Sequence, residues 1–162
     1  MAHLMNPQNT KRAVKVLKTT VSQKTRLGTS YGAIPGGTIL YTPPTGVSNV
    51  IYQFTSHIAY VSAPHSDATF RLLYGDSLDS LTSIATDDSN YLIDYGENGA
   101  GNNYDVRDER QINLTYLVPA YAGTKYLVLE GKSESTGNRY AVNCSDDWNS
   151  VLFDPFIIVY SI

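Results

Sequence analysis

The sequence predicts an all-β protein: one jelly-roll or β-sandwich domain over residues 31–162, carrying an extended basic N-terminal arm over residues 1–30. Three observations lead there. Short runs that alternate apolar with polar residues recur along the chain, and no stretch repeats its apolar residues at helical spacing. The composition suits pleated sheet, with 13 tyrosines and abundant Val, Ile, Thr and Ser. Twelve glycines and seven prolines punctuate the runs, at intervals of about 8–15 residues, as in sandwiches and barrels.

The elements follow in order. Ala13 to Val21 is rich enough in β-branched residues to form a strand inside the basic arm. Gly28 to Pro44 is dense in glycine and proline, which predicts a connector holding one short strand, Thr38-Ile39-Leu40-Tyr41. Pro43-Pro44-Thr45-Gly46 reads as a turn. Asn49 to Val61 is the longest apolar-rich stretch, and its two alternating faces both carry apolar groups, as in a central strand. Ala68–Tyr74 is a clean partner strand, closed by Gly75-Asp76, and Leu78–Thr86 is a weaker edge strand. Residues 87–110, acidic and rich in Asn and Gly, predict a long decorated loop. Gln111–Val118, Thr124–Glu130 and Pro155–Ile162 complete the strands.

Charge is divided along the chain. Residues 1–30 hold six basic side chains and no acid, whereas residues 31–162 hold six basic side chains and all fifteen acids. The arm therefore carries +6 and the domain 6 − 15 = −9. Six dispersed charges are few for a nucleic-acid-binding tail, which concentrates Arg and Lys. Attachment to an acidic protein surface is the expected role, with Lys11, Arg12, Lys15 and Lys18 as the anchoring residues. Nucleic-acid binding would instead weaken steeply with salt and vanish when residues 1–27 are removed.

Several functions find no support in the residues. No apolar run reaches the ~18–20 residues that cross a bilayer as a helix, and the N-terminus lacks the charged start and apolar stretch of a secretory signal. The single cysteine, Cys144, fits a small buried hydrophobe at a strand end. His3, His57 and His65 lie far apart; His57, inside an apolar strand, fits a core or interface position. No Gly-x-Ser-x-Gly elbow occurs, and the chain is expected to be no enzyme. No cofactor is expected. The alternative is calcium bridging subunits through Asp87-Asp88, Asp105, Asp108, Glu109 or Asp146-Asp147.

The run from Gly28 to Tyr52, with Leu40-Tyr41-Thr42-Pro43-Pro44-Thr45-Gly46 entering a long apolar strand, resembles the opening of β-sandwich domains in fibre, spike and head-decoration proteins of tailed bacteriophages, marine phages and cyanophages among them. The ending Phe153–Ile162 is similar to their closing strand. The resemblance implies a homotrimeric jelly roll displayed on a virion and fastened by its N-terminal segment to the major capsid protein or another virion protein. It brings no catalytic residues. The loop around Asn98, Asn102, Asn103 and Tyr104 is the expected presenting tip, with a host-surface receptor as its partner. Two alternatives stand beside this reading: a small jelly-roll coat protein enclosing nucleic acid, and a carbohydrate-binding module using Tyr95, Tyr104 or Trp148.

Overall fold

A computed structural model describes residues 14–60, 67–84, 91–94, 109–133, 140–144 and 152–162. Eleven strands lie among them: β1 Val14–Lys18, β2 Thr25–Arg26, β3 Gly32–Tyr41, β4 Asn49–Tyr60, β5 Asp67–Gly75, β6 Leu81–Ser83, β7 Tyr91–Asp94, β8 Glu109–Pro119, β9 Lys125–Ser133, β10 Tyr140–Val142 and β11 Phe156–Ser161. No helix occurs among the described residues. All the pairings are antiparallel, and they make two sheets. In the first, the twelve-residue β4 lies at the centre. β8 pairs with it along one side; β11 and β10 share the other side, extended outward by β1 and β2 respectively. In the second sheet β9 lies between β3 and β5, and the far side of β5 takes both β6 and β7.

The period-two pattern decides which side chains face inward. From the first sheet come Val50, Tyr52, Phe54 and Ile58 of β4, Ile112, Leu114, Tyr116 and Val118 of β8, and Ile157 and Val159 of β11. They meet Ile39, Tyr41, Ala68, Phe70, Leu72, Leu127 and Leu129 of the second sheet in one continuous core. Each large apolar side chain buried this way contributes about 1.5–3 kcal/mol. Tyrosines expected at half-buried contact surfaces are in fact core residues in four cases: Tyr41, Tyr52, Tyr116 and Tyr140 are buried.

The connector expected over residues 28–44 is mostly the ten-residue strand β3. Its glycines and prolines mark an irregularity within a strand. The β3–β9 register shifts between Ala33 and Thr38, and Gly36 adopts a φ of 76°, which favours glycine. A Cβ at Gly36 would also collide with the Pro155 ring. The displaced backbone carbonyls find donors in the opposite sheet: the Tyr52 hydroxyl donates to Gly37 O at 2.7 Å, and Asn143 Nδ2 donates to Pro35 O at 3.0 Å. Asn143 itself is buried, sits at a φ of 66°, and accepts from Ser56 Oγ at 2.7 Å. At the other end of β3 the hydroxyls of Tyr41 and Ser161 join the sheets at 2.5 Å.

One further expectation is corrected. Residues 87–110 are no continuous loop, because Tyr91–Asp94 pairs with Asp67–Phe70 and Glu109–Arg110 opens β8. The polar, acidic flanks of that four-residue strand hide its alternation. Within the basic segment, β1 pairs with β11, β2 pairs with β10, and Val21 and Leu27 are buried.

Removal of residues 1–27 accordingly strips one edge from the first sheet and two buried side chains from the core. That loss, of about 3–6 kcal/mol for the side chains alone, is expected to lower the melting temperature by ~10 °C or more, read by circular dichroism. Alkaline pH gives a second test. Burial, with Tyr116 adding to it, raises the Tyr52 pKa well above its ordinary value of 10.0. Above pH 10 the unfolded chain releases a proton that the folded chain keeps, so this group's stabilisation is complete below about pH 10 and declines above it. Denaturant titrations should show that decline, and Tyr52→Phe should remove up to one proton's share of its slope, about 1.4 kcal/mol per pH unit.

Candidate assembly surface

The outward face of the first sheet carries three cross-strand rows, each spanning β1, β11, β4 and β8. The first is Val14, Tyr160, Ile51 and Leu117; the second is Val16, Ile158, Gln53 and Thr115; the third is Lys18, Phe156, Thr55 and Asn113. Directly paired residues on adjacent strands point to the same side, so one end of this face is apolar and the other polar. Val14, Val16 and Leu117 are 58%, 62% and 56% exposed, and Phe156 is 37% exposed. Ile51, Ile158 and Tyr160 are half-buried among them. A contiguous apolar group of this kind, rimmed by polar residues, is the usual form of a protein contact surface. At the polar end Thr55 Oγ1 donates to Asn113 Oδ1 at 2.8 Å.

Two of the expected anchoring residues are tied to the domain. Lys15 Nζ donates to Leu40 O at 2.7 Å, fastening β1 to β3. The exposed Lys18 Nζ lies 3.6 Å from Oδ2 of the half-buried Asp154, a pair of small energetic weight. Lys11 and Arg12 lie outside the described residues, as do Asn98, Asn102, Asn103 and Tyr104 of the expected loop tip. Both lie on β1 but on opposite faces: Lys18 shares the outward face with Val14 and Val16, and Lys15 faces β3.

The second sheet carries a polar cluster on its outer side. Arg71 donates from Nε and Nη2 to Glu130 Oε2 at 2.8 and 2.6 Å, across the β5–β9 pair. The Arg71 guanidinium lies 3.9 Å from the centroid of the Tyr31 ring, and Lys132 Nζ lies 5.0 Å from it. These charges are mutually occupied and fix Tyr31 at the start of β3.

Elsewhere, His57 is half-buried and stacked on Phe153, with centroids 3.7 Å apart and planes 4° apart. Cys144 is buried, and its Sγ donates to Ala141 O at 3.6 Å. Among the described residues, no three His, Cys, Asp or Glu side chains converge as a metal site would require. The acids considered for calcium fall outside the described side chains.

The apolar face had a sequence signal. In β11 and β4 both alternating positions are apolar, so one set fills the core and the other, Ile51, Ile158 and Tyr160, is left to face outward.

No protein-family model matches the chain, and no curated protein matches it. Among solved structures it is similar to dimeric latent PorU from Porphyromonas gingivalis, at 14% identity and a TM-score of 0.42. The alignment covers 93% of this chain and 12% of that one. A likeness this loose carries no argument about function.

Two leucines of β8 test the assignment of faces. Leu114 is 3% exposed and Leu117 is 56% exposed. Leu114→Ala is expected to cost about 2–5 kcal/mol. Leu117→Thr should change monomer stability by less than ~0.5 kcal/mol, both measured by denaturant titration.

Proposed function

We propose that the chain is a structural subunit of a virus particle, acting by binding copies of itself and neighbouring virion proteins. It would decorate the capsid or form a short fibre or spike, with its two sheets arranged as a jelly roll and three copies per unit. The observation that carries the self-assembly is the apolar end of the outward face, where Val14, Val16 and Leu117 are all more than half exposed. Burying that end against another copy removes apolar surface from water at about 25 cal/mol per Å². The resemblance of residues 28–52 and 153–162 to phage fibre, spike and head-decoration domains supports the virion setting.

Attachment to the major capsid protein, or another virion protein, falls to the basic segment. Lys11, Arg12, Lys15 and Lys18 are the anchoring residues of this reading, Lys15 also donating to Leu40 O and Lys18 lying near Asp154. Presentation to a host-surface receptor falls to the loop of Asn98, Asn102, Asn103 and Tyr104.

Substituting the exposed valines tests it. Val14→Lys with Val16→Lys places two charges on the proposed contact without touching the core. The double variant is expected to keep its β-sheet circular dichroism and to sediment as a monomer at concentrations where the parent chain forms a three-copy species. Retention of the parent's mass by the double variant would contradict the proposed face.

A further inference from the structure

β11 has a different neighbour on each side, and its backbone groups are divided between them. Ile162 and Asn49 exchange both of their hydrogen bonds, at 3.0 and 3.2 Å, one step beyond the Val50–Ser161 pair of the β4–β11 ladder. Such pairs alternate along an antiparallel ladder, so Tyr160, Ile158 and Phe156 turn their N–H and C=O groups toward β4. On the other side Thr19 N donates to Pro155 O at 3.1 Å, one step beyond the Lys18–Phe156 pair. Ile157 and Val159 therefore bond to Leu17 and Lys15 of β1. The two ladders give the same phase independently.

Apart from this ladder β1 is lightly held. None of its five residues is buried, four are exposed, and Leu17 packs partly against the core. Among the described residues its charged side chains reach Leu40 O, from Lys15 Nζ, and Asp154, from Lys18. The fastening changes immediately after the strand. Thr19 and Pro155 both lie where a Cβ at Gly36 would reach. Val21 is buried and its N donates to Asp154 Oδ1 at 3.1 Å; Leu27 is buried and its N donates to Tyr140 O at 2.8 Å. On the far side, Ile157 and Val159 stay in the core whether or not β1 is beside them. A segment opens by itself when few buried apolar contacts are lost in opening it, and β1 meets that condition at both of its boundaries.

We propose that β1 is a releasable strap: Val14–Lys18 leaves β11 as a unit, pivoting at Thr19, while both sheets stay folded. Release uncovers the N–H and C=O groups of Ile157 and Val159 along the side of β11. It also carries Val14 and Val16, 58% and 62% exposed, away from the apolar outward face, where Ile51, Leu117, Ile158 and Tyr160 remain. The strap thereby regulates that face, a second step that rests on the reading of the face as a contact between copies. A copy seated on Val14 and Val16 binds the docked strap and not the released one. Association then holds the strap shut, and release weakens association by the same factor.

Amide exchange on the full chain at low concentration tests the strap without any substitution. Ile157 and Val159 are expected to exchange on the order of a hundredfold faster than Ile158 and Tyr160 of the same strand. Lys15 and Leu17 should match the fast pair. Equal protection at all four residues of β11 would overturn the proposal. Lys15→Met removes the bond to Leu40 O and should speed exchange at Ile157 and Val159 roughly two- to tenfold, with Ile158 and Tyr160 unchanged. Val16 and Ile158 form a closely spaced, non-hydrogen-bonded pair, whose geometry suits a disulfide. Val16→Cys with Ile158→Cys, once oxidised, is expected to slow Ile157 and Val159 to the rate of Tyr160, and reduction to restore the fast rate. Fast exchange that survives the crosslink would also overturn the strap. Raising the concentration of the parent chain separates the strap from the face. If the mass rises and exchange at Ile157 and Val159 slows with it, release and coupling are both upheld. If the mass rises and their exchange does not slow, the coupling is overturned. If they exchange fast and the chain stays monomeric throughout, the strap stands and the face reading fails.

Discussion

The two sheets are held in one arrangement by the way the first receives an irregularity of the second. Between Ala33 and Thr38 the strand β3 leaves its ladder with β9, which frees Gly37 O in the buried space between the sheets and Pro35 O at its partly buried margin. Left unpaired, the buried Gly37 carbonyl would cost about 1–3 kcal/mol. Tyr52, from the middle of β4, answers Gly37, and Asn143 answers Pro35 while holding Ser56. Gly36 allows the backbone to approach Pro155 closely enough for this to happen. Dispersion and apolar burial would bring the sheets together in many ways, whereas these directional bonds select one. The same bonds seat β4, and β4 sets the register of β8, β11 and β10.

Much of this was legible in the chain. The long strands announced themselves by alternation, and Asn49–Val61 was readable as central because its two faces are both apolar. What misled was chemistry shared by different structures. Gly36 and Gly37 look the same in a linker and in a bulge, and only the donors from Tyr52 and Asn143, distant in sequence, distinguish the two. Tyr91–Asp94 is short and bounded by acids, so its pairing with β5 leaves little local trace. Lys15 and Lys18 show in the sequence as charges alone, and their contacts with Leu40 O and Asp154 become visible only in the fold. The apolar face was legible in part, through the doubly apolar runs of β4 and β11. Its extension onto Val14, Val16 and Leu117 needed the register.

The functional account follows from what the sheets leave outside. A domain that buries Tyr52, Phe54 and Ile58 on one side of β4, yet keeps Ile51 at the surface beside Leu117 and Tyr160, has its core and a further apolar surface to cover. Outward apolar residues in adjacent strands are a feature of proteins whose neighbours complete them. Assembly on a virus particle would supply such neighbours in repeated, symmetric form. Charge is divided along the sequence as well, with no acid in residues 1–30 and all fifteen acids after them.

The most direct test of self-assembly is the absolute mass of the full chain in solution, by light scattering, with absorbance recorded at 260 and 280 nm. The account predicts a nucleic-acid-free species of three times 17.8 kDa. A strict monomer at every concentration would contradict it, and large particles absorbing as nucleic acid would replace it with a genome-enclosing coat.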